Sequence, residues 1–128
     1  MVPTSTGAAK ATTKIIPSLA GKFDGMAVRV PTITVSLTDF TFVLKKDASV
    51  QEINDALISA SQAELQGVLA VSDKPLVSSD FIGNPYSSIV DLELTKVVGG
   101  NLVKIVAWYD NEWGYANRLV EMAAIIAQ

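Results

Sequence analysis

Two glycines in a row, Gly99 and Gly100, sit between two apolar runs and constrain this chain more than any other feature. Before them Val90, Leu92 and Leu94 alternate with Asp91, Glu93 and Thr95. After them and Asn101, residues 102–108 form a second apolar run. A period of two is the signature of a half-buried strand, and a tight glycine turn between two such runs makes a hairpin. The chain is therefore committed to antiparallel sheet. Asp91, Glu93 and Thr95 are expected on its solvated face.

The remaining segments offer further strands. Residues 26–30 read as a strand ended by Pro31. Ile33, Val35 and Leu37 alternate with polar residues, and the apolar phase then moves to Phe40, Phe42 and Leu44. A strict period of two cannot do this without a bulge near Thr38 and Asp39, or burial of both faces. Residues 67–72 and 76–78 read as short strands around a turn at Asp73, Lys74 and Pro75, and 80–85 as a loop.

Three helices complete the pattern. One begins after Ser5 or Thr6 and stops before Pro17. A loop at 21–25 follows it. Ser49 and Glu52 form a capping box, and Ile53, Ala56, Leu57 and Ala60 share one helical face behind it. The last helix starts near Asn111, with Tyr115, Leu119, Met122 and Ile126 as its buried stripe. The fold expected is α+β: a mixed, largely antiparallel sheet with helices packed on one face. Residues 1–128 read as one domain without a linker.

Composition narrows the function. Hydrophobic residues make up 49% of the 128 and charged residues 18%, which suits a globular domain rather than a disordered one. A formal charge of −3 argues against nucleic-acid or membrane-surface partners. With 0 Cys and 0 His there is no disulfide, no thiolate or imidazole metal site and no cysteine nucleophile. No apolar run approaches the roughly 20 residues of a membrane span. The cytoplasm is the default location.

Two segments nevertheless look built for a ligand. Residues 108–115, WYDNEWGY, place aromatics, carboxylates, an amide and a glycine where a strand hands over to a helix. Asn111 suits either a helix cap or a carboxamide partner, and Tyr115, one turn on, offers a flat face. Asp110 and Glu112 lack further acidic neighbours, so a metal is not expected. Thr6 and Gly7 precede a helix, where free N–H groups suit an anion as well as an ordinary cap. Arg29, inside an apolar strand, must reach solvent, a carboxylate or a bound anion. Ser78, Ser79, Ser87 and Ser88 carry hydroxyls but no base partner.

The chain resembles the C-terminal part of glyceraldehyde-3-phosphate dehydrogenases. The likeness is carried by PTSTGAAKA (3–11), GMAVRVPT (25–32), ITVSLTDFTF (33–42), PLVSSDF (75–81) and VKIVAWYDNEWGY (103–115), in family order, and it covers essentially the whole chain. The wording is closer to bacterial or plastid members than to animal ones. The resemblance implies an enzyme that oxidises an aldehyde at a cysteine, passes a hydride to the nicotinamide of NAD or NADP, and releases the acyl group with phosphate in glycolysis or carbon fixation. It implies that Thr6 and Gly7 bind the attacking inorganic phosphate, that Arg29 holds chiefly the substrate's phosphate, and that Asn111 and Tyr115 lie near the nicotinamide amide and ring.

The departures limit what this chain does alone. The family's cysteine, histidine and dinucleotide-binding segments belong upstream of Met1, and the start at Met1-Val2-Pro3 falls where the family's chain runs on. The chain alone is expected to be inactive and to bind the dinucleotide weakly or not at all. It is expected to pair with the missing N-terminal half or to self-associate as a homo-oligomer, because losing the early strands exposes an edge and an apolar sheet face. Two alternatives remain open: a non-enzymatic oligomerising or binding module, and a piece of an erythrose-4-phosphate dehydrogenase.

Overall fold

The computed structural model describes residues 1–128. In chain order the elements are β1 (Val2–Ser5), α1 (Ala8–Ile15), β2 (Met26–Arg29), β3 (Ser36–Val43), α2 (Val50–Gln62), β4 (Leu69–Ser72), β5 (Ser88–Val98), β6 (Leu102–Tyr109) and α3 (Trp113–Ile126). Short 3-10 turns lie at Pro17–Leu19 and Ser78–Phe81. The fold is α+β, with a mixed, largely antiparallel main sheet, as expected. No helix is long and apolar enough to cross a membrane. The residues gather into two compact units, Met1–Ile33 and Thr34–Gln128.

In the first unit β1 and β2 run antiparallel, with Val2 opposite Arg29 and Ser5 opposite Met26. Nothing in the sequence announces β1, because four residues that include Pro3 show no readable period. A proline is tolerated there because the ladder has only two strands, so one side of each needs no bond. α1 ends at Ile15, with Ile16 as the one residue between it and Pro17. That matches the expectation, since the residue before a proline is pushed out of helical conformation.

The second unit is built on a four-stranded sheet in the order β3-β6-β5-β4. Only the β4–β5 pair is parallel. The β5–β6 hairpin turns where expected, with Gly99 at φ 61° and Gly100 at φ 84°. Both angles are left-handed, which explains why glycine occupies both positions. α2 begins with the capping box: Ser49 Oγ accepts the Glu52 N–H, and the Ser49 N–H donates back to Glu52 Oε2 at 2.8 Å. The helix lays Leu57 and Ala60 against Leu69, Val90 and Ala107 on one sheet face. On the other face Val35, Phe81 and Ile89 are buried with Leu76, Tyr86 and Trp108 around them, and the Phe81 and Trp108 rings stack at 5.3 Å.

Four expectations are corrected. The β3–β6 register runs unbroken from Ser36 opposite Tyr109 to Val43 opposite Leu102, so β3 has no bulge at Thr38 and Asp39. Leu37 serves one face while Phe40 and Phe42 serve the other, so the change of apolar phase lies within a regular strand that carries apolar residues on both faces. The irregularity sits instead in β5, where the five steps from Asp91 to Lys96 match only the two from Val106 to Lys104 on β6. That odd insertion inverts the side-chain phase.

Asp91, ahead of the shift on the Ile89 face, and Thr95, within it, are not solvated: they are 5% and 2% exposed, and only Glu93 keeps its water. Trp108 Nε1 donates to Asp91 Oδ2 at 3.2 Å, which offsets part of the cost of burying that carboxylate. Residues 76–78 form no strand. The Asp80 side chain takes the Val77 N–H at 2.7 Å and winds the segment into a 3-10 turn. Finally, Tyr115, Leu119, Met122 and Ile126 of α3 are exposed. Helical spacing establishes that they share a face, but not that another element covers it.

Candidate functional site

The corner between β6 and α3 is organised by Asp110, which is 4% exposed. Its Oδ1 accepts the N–H groups of Glu112 at 3.0 Å and Trp113 at 2.9 Å, and its Oδ2 accepts the Gly83 N–H at 2.9 Å. Thr34 Oγ1 approaches Oδ1 at 3.5 Å. Its own carbonyl takes the Gly114 N–H at 3.0 Å, so Asp110 is the residue that caps α3. Burial works to raise the Asp110 pKa, but the N–H donors of Trp113, Gly83 and Glu112 and the Thr34 hydroxyl outweigh it, leaving the carboxyl below its ordinary value.

Asn111, suited by sequence to a helix cap or a carboxamide partner, is exposed and caps nothing. Ser36 Oγ donates to its Oδ1 at 3.4 Å, a long bond that engages the amide oxygen and not the NH2 group. Tyr115 follows four residues later, 69% exposed and on the same side of the first turn. Asn111 and Tyr115 line one open cleft of about 320 Å³ together with Ser87, Tyr109, Gly114 and Arg118. Gly114 lets the helix approach closely, because a Cβ there would sit 2.9 Å from the Tyr86 carbonyl oxygen. Arg118 Nη1 donates to the Gly67 carbonyl at 2.9 Å and holds the second turn of α3.

The sequence reading missed Asp110 as the cap and Arg118 as a wall of the cleft. Both left a signal. Aspartate is a preferred N-cap, and Asn111, Gly114, Tyr115 and Arg118 follow helical spacing along a stripe that contains no aliphatic residue. Of the two tryptophans, Trp113 is more than half exposed and Trp108 alone is packed.

Thr6, Gly7 and Arg29 all belong to the first unit. Thr6 Oγ1 takes the Ala8 N–H at 3.2 Å, so its hydroxyl already serves the start of α1. Gly7 occupies the cap, and nothing lies within 4 Å of where a Cβ would sit, which leaves room for a ligand. Arg29 is exposed at the far end of the ladder, opposite Val2. The β1 and β2 segments are neighbours, but Arg29 and Thr6 stand at opposite ends of a four-residue ladder, on the order of 10 Å apart along the strands. Thr4 Oγ1 is buried without a partner, and Thr4 shares the Arg29 face of the ladder. No group of three or more acidic side chains is placed to hold a metal ion.

Comparison with known proteins gives this corner its context. Residues 1–111 match the family described as glyceraldehyde 3-phosphate dehydrogenase, C-terminal domain. The chain is 53% identical over 129 residues to a glyceraldehyde-3-phosphate dehydrogenase of Zymomonas mobilis, covering 100% of this chain and 38% of the relative. It is 54% identical over 128 residues to that of Mycobacterium avium, with the same two coverages. Against the Geobacillus stearothermophilus enzyme it is 50% identical over 127 residues, covering 99% of this chain and 38% of that one. The chain belongs to the glyceraldehyde-3-phosphate dehydrogenase family, a family of oxidoreductases, and corresponds to its C-terminal domain. It spans 38% of the length of these relatives.

Proposed function

We propose that this chain supplies the phosphate-binding and nicotinamide-end residues of a phosphorylating glyceraldehyde-3-phosphate dehydrogenase, acting in glycolysis with NAD or NADP. The observation that carries this reading is the shared cleft of Asn111 and Tyr115. Its free amide NH2 suits a carboxamide oxygen, and Tyr115 and Tyr109 offer flat faces for a planar ring. The cleft fits the nicotinamide end alone, so the rest of the dinucleotide needs another surface. When bound, the dinucleotide accepts the hydride that leaves the aldehyde carbon. This chain's part is to orient the ring and to hold phosphate.

Thr6 and Gly7 hold the attacking inorganic phosphate at the start of α1, and Arg29 holds the phosphate of the substrate. Their separation along the β1–β2 ladder supports two phosphate groups rather than one. With 0 Cys and 0 His, the chain offers no thiol and no imidazole. Those groups come from a complementing N-terminal region, and residues 1–128 act as one partial catalytic domain beside it. The exposed apolar stripe of α3 and the sheet edge at β3 support such a partner, or self-association into a homo-oligomer. The bacterial relatives favour the cytoplasm over a plastid.

The test mixes this chain with a separately produced region carrying the Cys, the His and the dinucleotide-binding domain. Mass is followed by light scattering, and turnover with aldehyde, phosphate and NAD. Neither half alone should turn over, and the mixture should assemble and make NADH. A self-associated chain that ignores the other half and yields no NADH would overturn the reading in favour of a binding module.

A further inference from the structure

We propose that Asp110 is a positioning residue for this cleft: its buried carboxylate holds the corner from which Asn111 and Tyr115 are presented to the dinucleotide. The inference rests on the nicotinamide-end reading above. One carboxylate collects N–H donors from two segments far apart in sequence, Gly83 in the loop after the 3-10 turn and Glu112 with Trp113 at the start of α3. Thr34, ahead of β3, adds a hydroxyl.

Asn111 lies inside this clamp. The residue before it is the acceptor, and the two residues after it are donors. The only bond of its own side chain is the 3.4 Å contact with Ser36. The place of Asn111 is therefore set by Asp110 more than by its own contacts. Tyr115 inherits the direction that the clamp gives the first turn. Bonds from N–H to an ionised carboxylate are about twice as strong as neutral ones, and the lowered pKa keeps this carboxylate ionised through neutral pH.

Asp110→Asn preserves shape but replaces one oxygen with an NH2 group. That group would face either the Gly83 N–H or the helix N–H groups, donor against donor. One arm of the clamp is then released, and small misplacements of binding groups are costly to a reaction.

The experiment uses the assembled two-part dehydrogenase and a double-mutant cycle. Asn111→Ala removes one hydrogen bond and should raise the KM for NAD roughly tenfold. Asp110→Asn should also raise KM, by no more than Asn111→Ala, with most of the loss in KM rather than kcat. The double variant should stay within about twofold of Asn111→Ala, because residues acting through one another do not add. Full additivity, or an Asp110→Asn enzyme that melts earlier with an unchanged KM, would show a purely structural role and overturn the inference. An unchanged KM in Asn111→Ala would instead bring down the nicotinamide-end reading.

If Asp110→Asn does not fold, hydrogen exchange in the unaltered enzyme decides. Saturating NAD should slow exchange at the Gly83 and Trp113 amides, which donate to Asp110; unchanged exchange there overturns the proposal.

Discussion

Adding one methyl group at Gly114 tests how closely α3 is seated. The Cβ of Gly114→Ala would lie 2.9 Å from the Tyr86 carbonyl oxygen, 3.7 Å from its carbon and 3.9 Å from Ser87 Cα. The obstacle is backbone, so no rotamer change relieves it, and the first turn of α3 or the Tyr86–Ser87 strand entry must give by about half an ångström. Overpacking of this kind costs typically ~1–3 kcal/mol. Alanine returns up to ~1 kcal/mol through its better helix propensity. The net expectation is a loss of about 1–2 kcal/mol, or roughly 3–8 °C in Tm for a chain of this size. Thermal melts followed by circular dichroism read it directly. Gly25→Ala is the control, since nothing lies within 4 Å of a Cβ there. A Gly114→Ala chain that melts at or above the parent temperature would refute the claim that this approach is tight.

Two further outcomes follow from the buried carboxylates. Trp108→Phe keeps a ring to stack on Phe81 but removes the only donor to Asp91, so it should cost about 1–3 kcal/mol in urea melts; adding Asp91→Ala should recover part of that loss, and simple additivity would refute the pairing. The pKa values of Asp110 and Glu52 are both lowered, the latter by the Ser49 N–H and hydroxyl, so each adds stability above the ordinary carboxylate range that is lost as pH falls through its lowered folded value. The stability gap between the parent chain and Asp110→Asn should therefore be widest near neutral pH and narrow as pH falls below about 4, and a gap that is constant with pH would refute the assignment.

Much of the framework was legible because it is local. The capping box at Ser49 and Glu52, the glycine turn at Gly99 and Gly100 and the stop before Pro17 each follow from a few neighbouring residues. Asn111 and Tyr115 were legible for the same reason, since four residues on a helix place them side by side. The part of Asp110 beyond a local cap was not, because Gly83 and Thr34 approach it only in the folded unit. Asp91 was misplaced because it shares the face of β5 that carries Ile89, where Val35 and Phe81 pack, and strand alternation cannot reveal which face another segment covers.

By itself, the sequence determined where the helices and most of the strands fall, β1 and residues 76–78 excepted, that the sheet is largely antiparallel, and that Cys and His chemistry is absent from this chain. Those properties depend on side-chain period, turn geometry and composition, all of which act over short distances along the chain. Only the tertiary structure decided which strand carries the irregularity, which carboxylates lose their water, and that the apolar stripe of α3 is left exposed. Each of these is a question of what lies opposite or above a residue, and that is settled by segments distant in sequence packing together.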